Sequence, residues 1–462
     1  MKIFHIIQDK DSSIIFFPET MDISFLSKEA ASVIKMSELG HSVKYISKKS
    51  RIKDTMVKEL IKKVKDFSSR RTQKYDYDDE LHLKNGIGKF IVNVSQKCNM
   101  RCRYCYAKDG SYSNWGMMSE ETAIKTMKYF SKNFDIISNI LFFGGEPLLN
   151  IHVIQRICEE VSNWKDIPRF GVVTNGTILT KKIIKVLKKY SIGITVSIDG
   201  SERIHNYLRP FLNGKGTYDT IVKNLQLFRD ELGNISYEGT YTREHQKMEI
   251  SYKDVLDHLR DNLKFKIGTL VPAVSSKASN FSPENMDFSE TTKFSLGSVL
   301  NGKIDTEVLH VLYLLIRKKK LKYICPIGVS VFAVDINGDI YPCQMFIGDK
   351  TYKIGNVKKD IPLEKQLEYK QVMKRLQITN KEINPKCKKC WASPLCRWCP
   401  GAAYIRTGKI ELRETICNDV KISLEKFLLN IALIRKNADL WRRFVKVIKE
   451  YAEDKTSSEN LI

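Results

Sequence analysis

At 462 residues and 42% hydrophobic content, the chain is long and apolar enough for two to four domains with real cores. No run approaches the roughly 18–20 apolar residues a membrane helix needs, and the start MKIFHIIQDKDSS has neither the cationic head nor the apolar stretch of a signal peptide, so a cytoplasmic protein that meets no membrane is expected. Seventy-seven basic against 53 acidic residues give a net charge of +24; these charges are spread along the chain without a helix-turn-helix, zinc-finger or stacking-platform motif, which points away from nucleic acid and toward a solvated basic face or an acidic peptide partner.

Residues 1–80 read as a small separate α+β domain. Strands over Ile3–Ile7 and Ile14–Phe17 are joined by the polar turn QDKDSS, and SKEAASVIKMSELG predicts a helix with Ser27 as N-cap and Gly40 as stop. Met56, Leu60, Ile61 and Val64 recur at helical spacing, and the polar stretch SSRRTQKYDYDDE serves as a linker. From Lys89 the pattern alternates regularly, with strand-like runs FIVNV, NILFFGG, FGVVT, IGITVSI, ISYEGTYT and FKIGTLVPAV separated by amphipathic helices. One helix carries Ala123, Met127, Phe130 and Phe134 on a face, and another carries Ile154, Ile157 and Val161 with Cys158 in register as ordinary core. Six βα units over residues 88–300 predict an α/β fold whose parallel sheet is either a partial (β/α)6 barrel or an open doubly wound array, with chemistry at the C-terminal strand ends. Residues 276–320 read as irregular and then helical. Residues 310–420 are rich in Cys, Gly and Pro and need a metal or similar cross-link to hold shape, and 421–462 form a basic helical tail.

Eleven cysteines without a secretion signal indicate metal or redox chemistry, and the eight histidines are too scattered to share it. Directly after the first βα strand, KCNMRCRYCYA places Cys98, Cys102 and Cys105 on one tight loop. Three thiolates on a 4Fe–4S cluster leave one iron open for a small chelating molecule; a zinc site completed from elsewhere is the bland alternative. Tyr104 supplies an aromatic wall. FFGGEP, after the second strand, brings Gly144 and Gly145, which permit close approach to the backbone, and Glu146, which can accept from an ammonium group.

CNMRCRYC followed by GGEP, TNGTIL and SIDG resembles the radical S-adenosylmethionine (SAM) superfamily over roughly residues 88–275. The resemblance implies that SAM chelates the open iron, that Glu146 bonds its ammonium, that Ser197 and Asp199 contact the ribose, and that Arg209 contacts the carboxylate. It also implies a low-potential electron donor such as a flavodoxin or ferredoxin. The seven further cysteines run C-x12-G-x4-C (Cys325, Gly338, Cys343), then C-x2-C-x5-C-x2-C (Cys387, Cys390, Cys396, Cys399), then Cys417. This is similar to the SPASM extension of radical SAM peptide maturases, a C-terminal iron–sulfur domain with two auxiliary 4Fe–4S clusters. By motif position one would use Cys387, Cys390, Cys396 and Cys417, and the other Cys325, Cys343 and Cys399. Where the family has three residues before the last cysteine of the central run, this chain has two, Arg397 and Trp398. Spacing alone would also suit a zinc site on Cys387, Cys390, Cys396 and Cys399.

The N-terminal region resembles the peptide-recognition element of such pathways, in which a leader peptide adds a strand to a sheet edge; a plain stabilising cap is the alternative. FFGGEPLLN and SIDGSERIHNYLRPFLNGKGTYDTI are similar to maturases of the ranthipeptide and sactipeptide type. That resemblance implies thioether formation in a ribosomally made, cysteine-rich precursor, with carbon–carbon cross-linking or sulfatase-type formylglycine formation as rival reactions and a zinc-binding or nucleic-acid-binding protein as the non-enzymatic one.

Overall fold

The N-terminal apolar runs pair as an antiparallel sheet of three strands, β1 (His5–Gln8), β2 (Ser13–Phe17) and β3 (Asp22–Leu26), in the computed structural model, which describes residues 4–69, 85–233, 235–275, 280–284, 299 and 303–454. The third strand is additional to the expected pair. Its sequence DISFL lies at the sheet edge with Ser24 and Phe25 exposed, so no apolar run marks it. The helix Lys28–Glu38 begins where Ser27 Oγ accepts from the Ala30 amide at 3.1 Å, and Gly40 follows its end at φ +82°. Helices Val43–Ser50 and Asp54–Ser69 complete this unit. Residues 70–80 of the expected linker, and 276–279, 285–298 and 300–302 of the expected irregular stretch, lie outside the described residues.

β2 is buried along its whole length because both faces of the sheet are covered. Ile15 and Phe17 pack with Ile34 and Val64, whereas Ile14 and Phe16 share a core with Trp391, Leu428 and Phe444. His5 stacks on Trp391 at 4.0 Å and bonds Glu425 at 2.7 Å. The N-terminal unit is therefore not separate in its packing, contrary to the reading of residues 1–80. One sheet face needs the C-terminal helices Glu414–Lys436 and Ala438–Asp454 to leave water.

The chain then supplies β4 (Gly86–Ile87), β5 (Lys89–Ser95), β6 (Ile136–Ile137), β7 (Asn139–Gly144), β8 (Arg169–Thr174), β9 (Gly193–Ser197), β10 (Ser236–Tyr241), β11 (Ile267–Pro272) and β12 (Ile304–Asp305). The six expected strands pair in parallel in the spatial order β5, β7, β8, β9, β10, β11. Apolar faces of the intervening helices cover the outside: Met127 and Phe130, then Ile154, Ile157 and the fully buried Cys158, then Ile221, Leu225 and Phe228. The α/β expectation holds, and the sheet is open rather than closed into a ring.

Three further strands, β13 (Val331–Val334), β14 (Asp339–Tyr341) and β15 (Gly355–Asn356), extend the same sheet beyond β5. β13 runs parallel to β5, from Val331 opposite Lys89 to Val334 opposite Val92. The Cys-rich region thus starts as part of the barrel sheet, and its outer boundary at 420 falls inside the unbroken helix Glu414–Lys436, which carries Cys417 in its first turn. Among the described residues no helix is long and apolar enough to cross a membrane.

Candidate metal centre

The loop leaving β5 is held against two neighbouring strand ends. The Gly145 amide donates to Ser95 O at 2.7 Å and the Glu146 amide to Lys97 O at 2.8 Å. A Cβ at Gly144 (φ +139°) would sit 2.0 Å from Ser95 O, and one at Gly145 would sit 2.4 Å from Lys97 O. These glycines therefore admit the cysteine loop's own backbone. On the far side, the Arg101 and Arg103 amides donate to Pro210 O and Leu208 O, both at 2.9 Å. Cys98, Cys102 and Cys105 sit half-buried on the loop so clamped. Burial pushes Cys98 up to about 11 and Cys102 up to about 12, and each acts electrostatically with Cys105. Thiols so disfavoured as free anions ionise only when a cation compensates them, which suits metal ligands.

Glu146 is fully buried at the end of β7 and accepts three hydrogen bonds: Leu148 N at 3.0 Å and Thr174 Oγ1 at 2.8 Å on Oε1, and Asn175 N at 2.7 Å on Oε2. Burial raises its carboxyl to about 7 against the pull of these bonds. Asn175, in the TNGTIL run, also donates to Asn99 Oδ1 at 2.8 Å and approaches Cys98 Sγ at 3.8 Å, so it ties the third strand to the cysteine loop. Its signal in the sequence is the run itself.

Asp199, after β9, is a hub. Its Oδ2 accepts from Arg209 Nε at 2.8 Å and Tyr104 OH at 2.5 Å, and its Oδ1 from Thr240 N at 2.9 Å. Burial alone would raise this carboxyl, but the Arg209 guanidinium, His205 and the hydrogen bonds from Tyr104 and Arg209 together outweigh it and hold the group below the usual carboxylate range. The Asp199 amide donates to His205 Nδ1 at 3.3 Å, and His245 Nε2 donates to Asp199 O at 2.8 Å. Thr217 Oγ1 donates its one proton to Arg209 O, so His205 Nε2 must carry the hydrogen it shares with Thr217. The structure brings together Tyr104, Asp199 and Arg209, with Ser197 half-buried at the end of the adjacent strand. An ionised carboxylate offers about four acceptor positions; Glu146 and Asp199 each use three.

The C-terminal cysteines fall into two groups. The thiols acting on Cys343 are Cys399 and Cys325, whereas those acting on Cys396 are Cys390, Cys387 and Cys417. Cys399 caps the helix Pro400–Thr407, its sulfur accepting from Ala402 N at 3.3 Å, and it faces the first group. A zinc site on Cys387, Cys390, Cys396 and Cys399 does not match this division. Among the described residues no three His, Cys, Asp or Glu side chains converge on a single-ion point. A four-iron cluster makes no such demand, since each thiolate binds its own iron. Lys381, unmarked in the sequence, is buried beside Cys396, Cys387 and Cys390 and donates to Ser393 O at 2.6 Å; burial lowers its ammonium to about 8.

Residues 92–246 match the Radical SAM superfamily, and residues 325–391 match SPASM, the iron–sulfur cluster-binding domain. The chain carries a radical SAM domain followed by a SPASM domain. The two domains imply iron–sulfur clusters and SAM as cofactors. The chain is 26% identical over 235 residues to the radical SAM cyclopropyl synthase TigE of Paramaledivibacter caminithermalis, covering 48% of each protein, so it spans about half the length of that relative. It is 25% identical over 330 residues to the cysteine-type anaerobic sulfatase-maturating enzyme of Clostridium perfringens strain 13, covering 67% of this chain and 88% of the other. Its fold is similar to that of Streptococcus suis SuiB bound to precursor peptide SuiA, with 14% identity and a TM-score of 0.53 over 90% of this chain and 99% of that one.

Proposed function

We propose that this radical SAM/SPASM enzyme modifies a ribosomally made, cysteine-rich precursor peptide by joining a cysteine sulfur to a carbon of another residue. The observation that carries the reading is the division of ten cysteines into three groups around one open sheet, together with a small N-terminal sheet that keeps strand edges for a peptide. In this reading Cys98, Cys102 and Cys105 hold the SAM-binding cluster, Cys325, Cys343 and Cys399 hold one auxiliary cluster, and Cys387, Cys390, Cys396 and Cys417 hold the other. When bound and reduced by one electron, the first cluster and SAM supply a 5′-deoxyadenosyl radical able to remove hydrogen from an unactivated carbon.

The chain's own residues orient the cofactor and exclude water. The remaining lone pair of Glu146 takes the SAM ammonium, Ser197 and the spare acceptor of Asp199 face the ribose, and Arg209 offers its outer N–H groups to the carboxylate. The leader peptide adds to the outer edge of β3. Where β2 begins and β3 ends, a groove of about 390 Å3 is lined by Asp11, Ser13, Phe25, Leu26, Lys28 and Lys436, and its two lysines outnumber its one carboxylate, which suits an acidic segment.

SuiB carries a precursor peptide on a similar fold. The similarity to the sulfatase-maturating enzyme supports a second reading, oxidation of a single residue to formylglycine. Anaerobic reaction with a cysteine-rich precursor, read by mass spectrometry and thiol alkylation, separates the two. A thioether removes two hydrogens and one alkylatable cysteine per link, under reduction that excludes disulfides. Loss of two hydrogens with every cysteine still alkylatable rules out the thioether, and a cysteine that loses two hydrogens and exchanges its sulfur for oxygen marks formylglycine.

A further inference from the structure

β10 has the sequence SYEGTY, in which Tyr237 and Tyr241 are buried and Ser236, Glu238 and Thr240 alternate with them. Tyr237 packs on Phe265 on one face of the sheet, so Glu238 projects from the opposite face. It stands opposite Ser197 of β9 and Thr269 of β11, two residues before the Thr240 amide that holds Asp199.

The charged groups that face Glu238 come from three directions. They are Lys89 at the start of β5, Arg209 after the helix Glu202–Leu208, and Asp199 after β9; Tyr106 of the cysteine loop lies within its field. Lys89 in turn acts on Cys325 and Cys343. Glu238 therefore shares the sheet face of Ser197, within the field of Asp199, Arg209 and Lys89. The other two carboxylates of this region are committed, Glu146 to three hydrogen bonds and Asp199 to Arg209 and Tyr104. Glu238 is partly accessible, unlike the fully buried Glu146 and Asp199. Burial holds its carboxyl above the usual range, the direction that brings a general base toward neutral pH.

We propose that Glu238 touches the precursor peptide and takes the proton that the reacting group loses. The inference rests on the peptide-modifying reading above. For a cysteine thiol the S–H bond breaks, an O–H bond forms on the carboxylate, and the electron pair stays on sulfur. The step is a proton transfer without redox change. Each candidate reaction that removes two hydrogens from the peptide has one such proton to lose, whichever bond is then made.

The test compares Glu238→Gln and Glu238→Asp with the parent enzyme. Glu238→Gln should form 5′-deoxyadenosine at close to the parent rate and keep its iron content, but slow product formation by roughly a hundredfold or more. The parent rate should rise with pH through the Glu238 titration, and this acid limb should vanish in Glu238→Gln and return, weakened, in Glu238→Asp. Without turnover, calorimetry of a cysteine-containing precursor in buffers of different ionisation enthalpy should detect proton uptake or release that the Gln variant lacks. Product at the parent rate with an unchanged pH profile overturns the proposal. So does an equal loss of 5′-deoxyadenosine, which would make the residue structural. A peptide modified without loss of hydrogen removes the proton assigned to Glu238 and overturns it too. Loss of two hydrogens with all cysteines alkylatable defeats only the thioether reading, and the Glu238 comparison then decides on that product.

Discussion

Replacing Asp199 by Asn keeps its size but removes the charge at the hub of the network that joins Tyr104, Arg209 and Thr240. The carboxylate has donors on both oxygens: Arg209 Nε and Tyr104 OH on Oδ2, and Thr240 N on Oδ1. An amide has one oxygen, so either orientation turns an NH2 group toward a donor, and it leaves the buried Arg209 guanidinium without its counter-ion. Removing one partner of a buried ion pair costs about 3–5 kcal/mol. At roughly 2–4 °C per kcal/mol for domains of 150–250 residues, the melting temperature should fall by roughly 6–20 °C. The assay is an anaerobic thermal melt of Asp199→Asn, Arg209→Met and the double variant at one scan rate. The double variant should be more stable than the sum of the single losses, because it no longer buries an unpaired charge. A single Asp199→Asn variant that melts within about 2 °C of the parent, or strict additivity, would refute this account of the hub.

Gly144→Ala places a methyl group 2.0 Å from Ser95 O at φ +139°, so it should displace the cysteine loop and lower bound iron by about four atoms; full iron by colorimetric assay would count against that packing. Cys399→Ala should alter the same electron paramagnetic resonance signal as Cys325→Ala or Cys343→Ala and leave the one altered by Cys396→Ala intact, whereas sharing the Cys396 signal would overturn the division of cysteines. Burial lowers His205 to about 3 from the ordinary 6.5, so below pH 6.5 the unfolded chain binds a proton that the folded chain refuses. Stability should therefore fall as pH falls, by at most about 1.4 kcal/mol per unit from this group. In urea unfolding at pH 7.5 and 5.5, His205→Gln should lose less than the parent between the two; equal losses would contradict the buried neutral state.

The six parallel strands were legible because five are largely apolar runs between amphipathic helices and β10 alternates aromatic with polar residues in the same rhythm, and the three-cysteine loop was legible because it directly follows one of them. β3 was not, because its exposed edge position leaves it no apolar run; β4, β6 and β12 to β15 were not, since strands of two to four residues carry little pattern, and the pairing of β13 with β5 is purely long-range. The run from Cys387 to Cys399 looks like one site along the chain. In the fold the Cys399 sulfur instead starts the helix Pro400–Thr407 and faces Cys325 and Cys343. Glu238 and Lys381 had no local mark. A single charge within a strand or loop looks solvated until tertiary packing buries it.

The pairing of β13 with β5 sets an order on the chain's assembly. The backbone of Ile336 donates to Gln96 Oε1 across 240 residues of sequence, next to the cysteine loop. During synthesis, the strand that carries that loop waits with one apolar edge unpaired until the ribosome has delivered the C-terminal strands. A gene cut after the sixth barrel strand would leave FIVNV as an open edge ready to pair with other chains. A settled loop for Cys98, Cys102 and Cys105 is thus tied to a late event in translation, and the C-terminal cysteine region is removed more safely by point substitutions than by truncation.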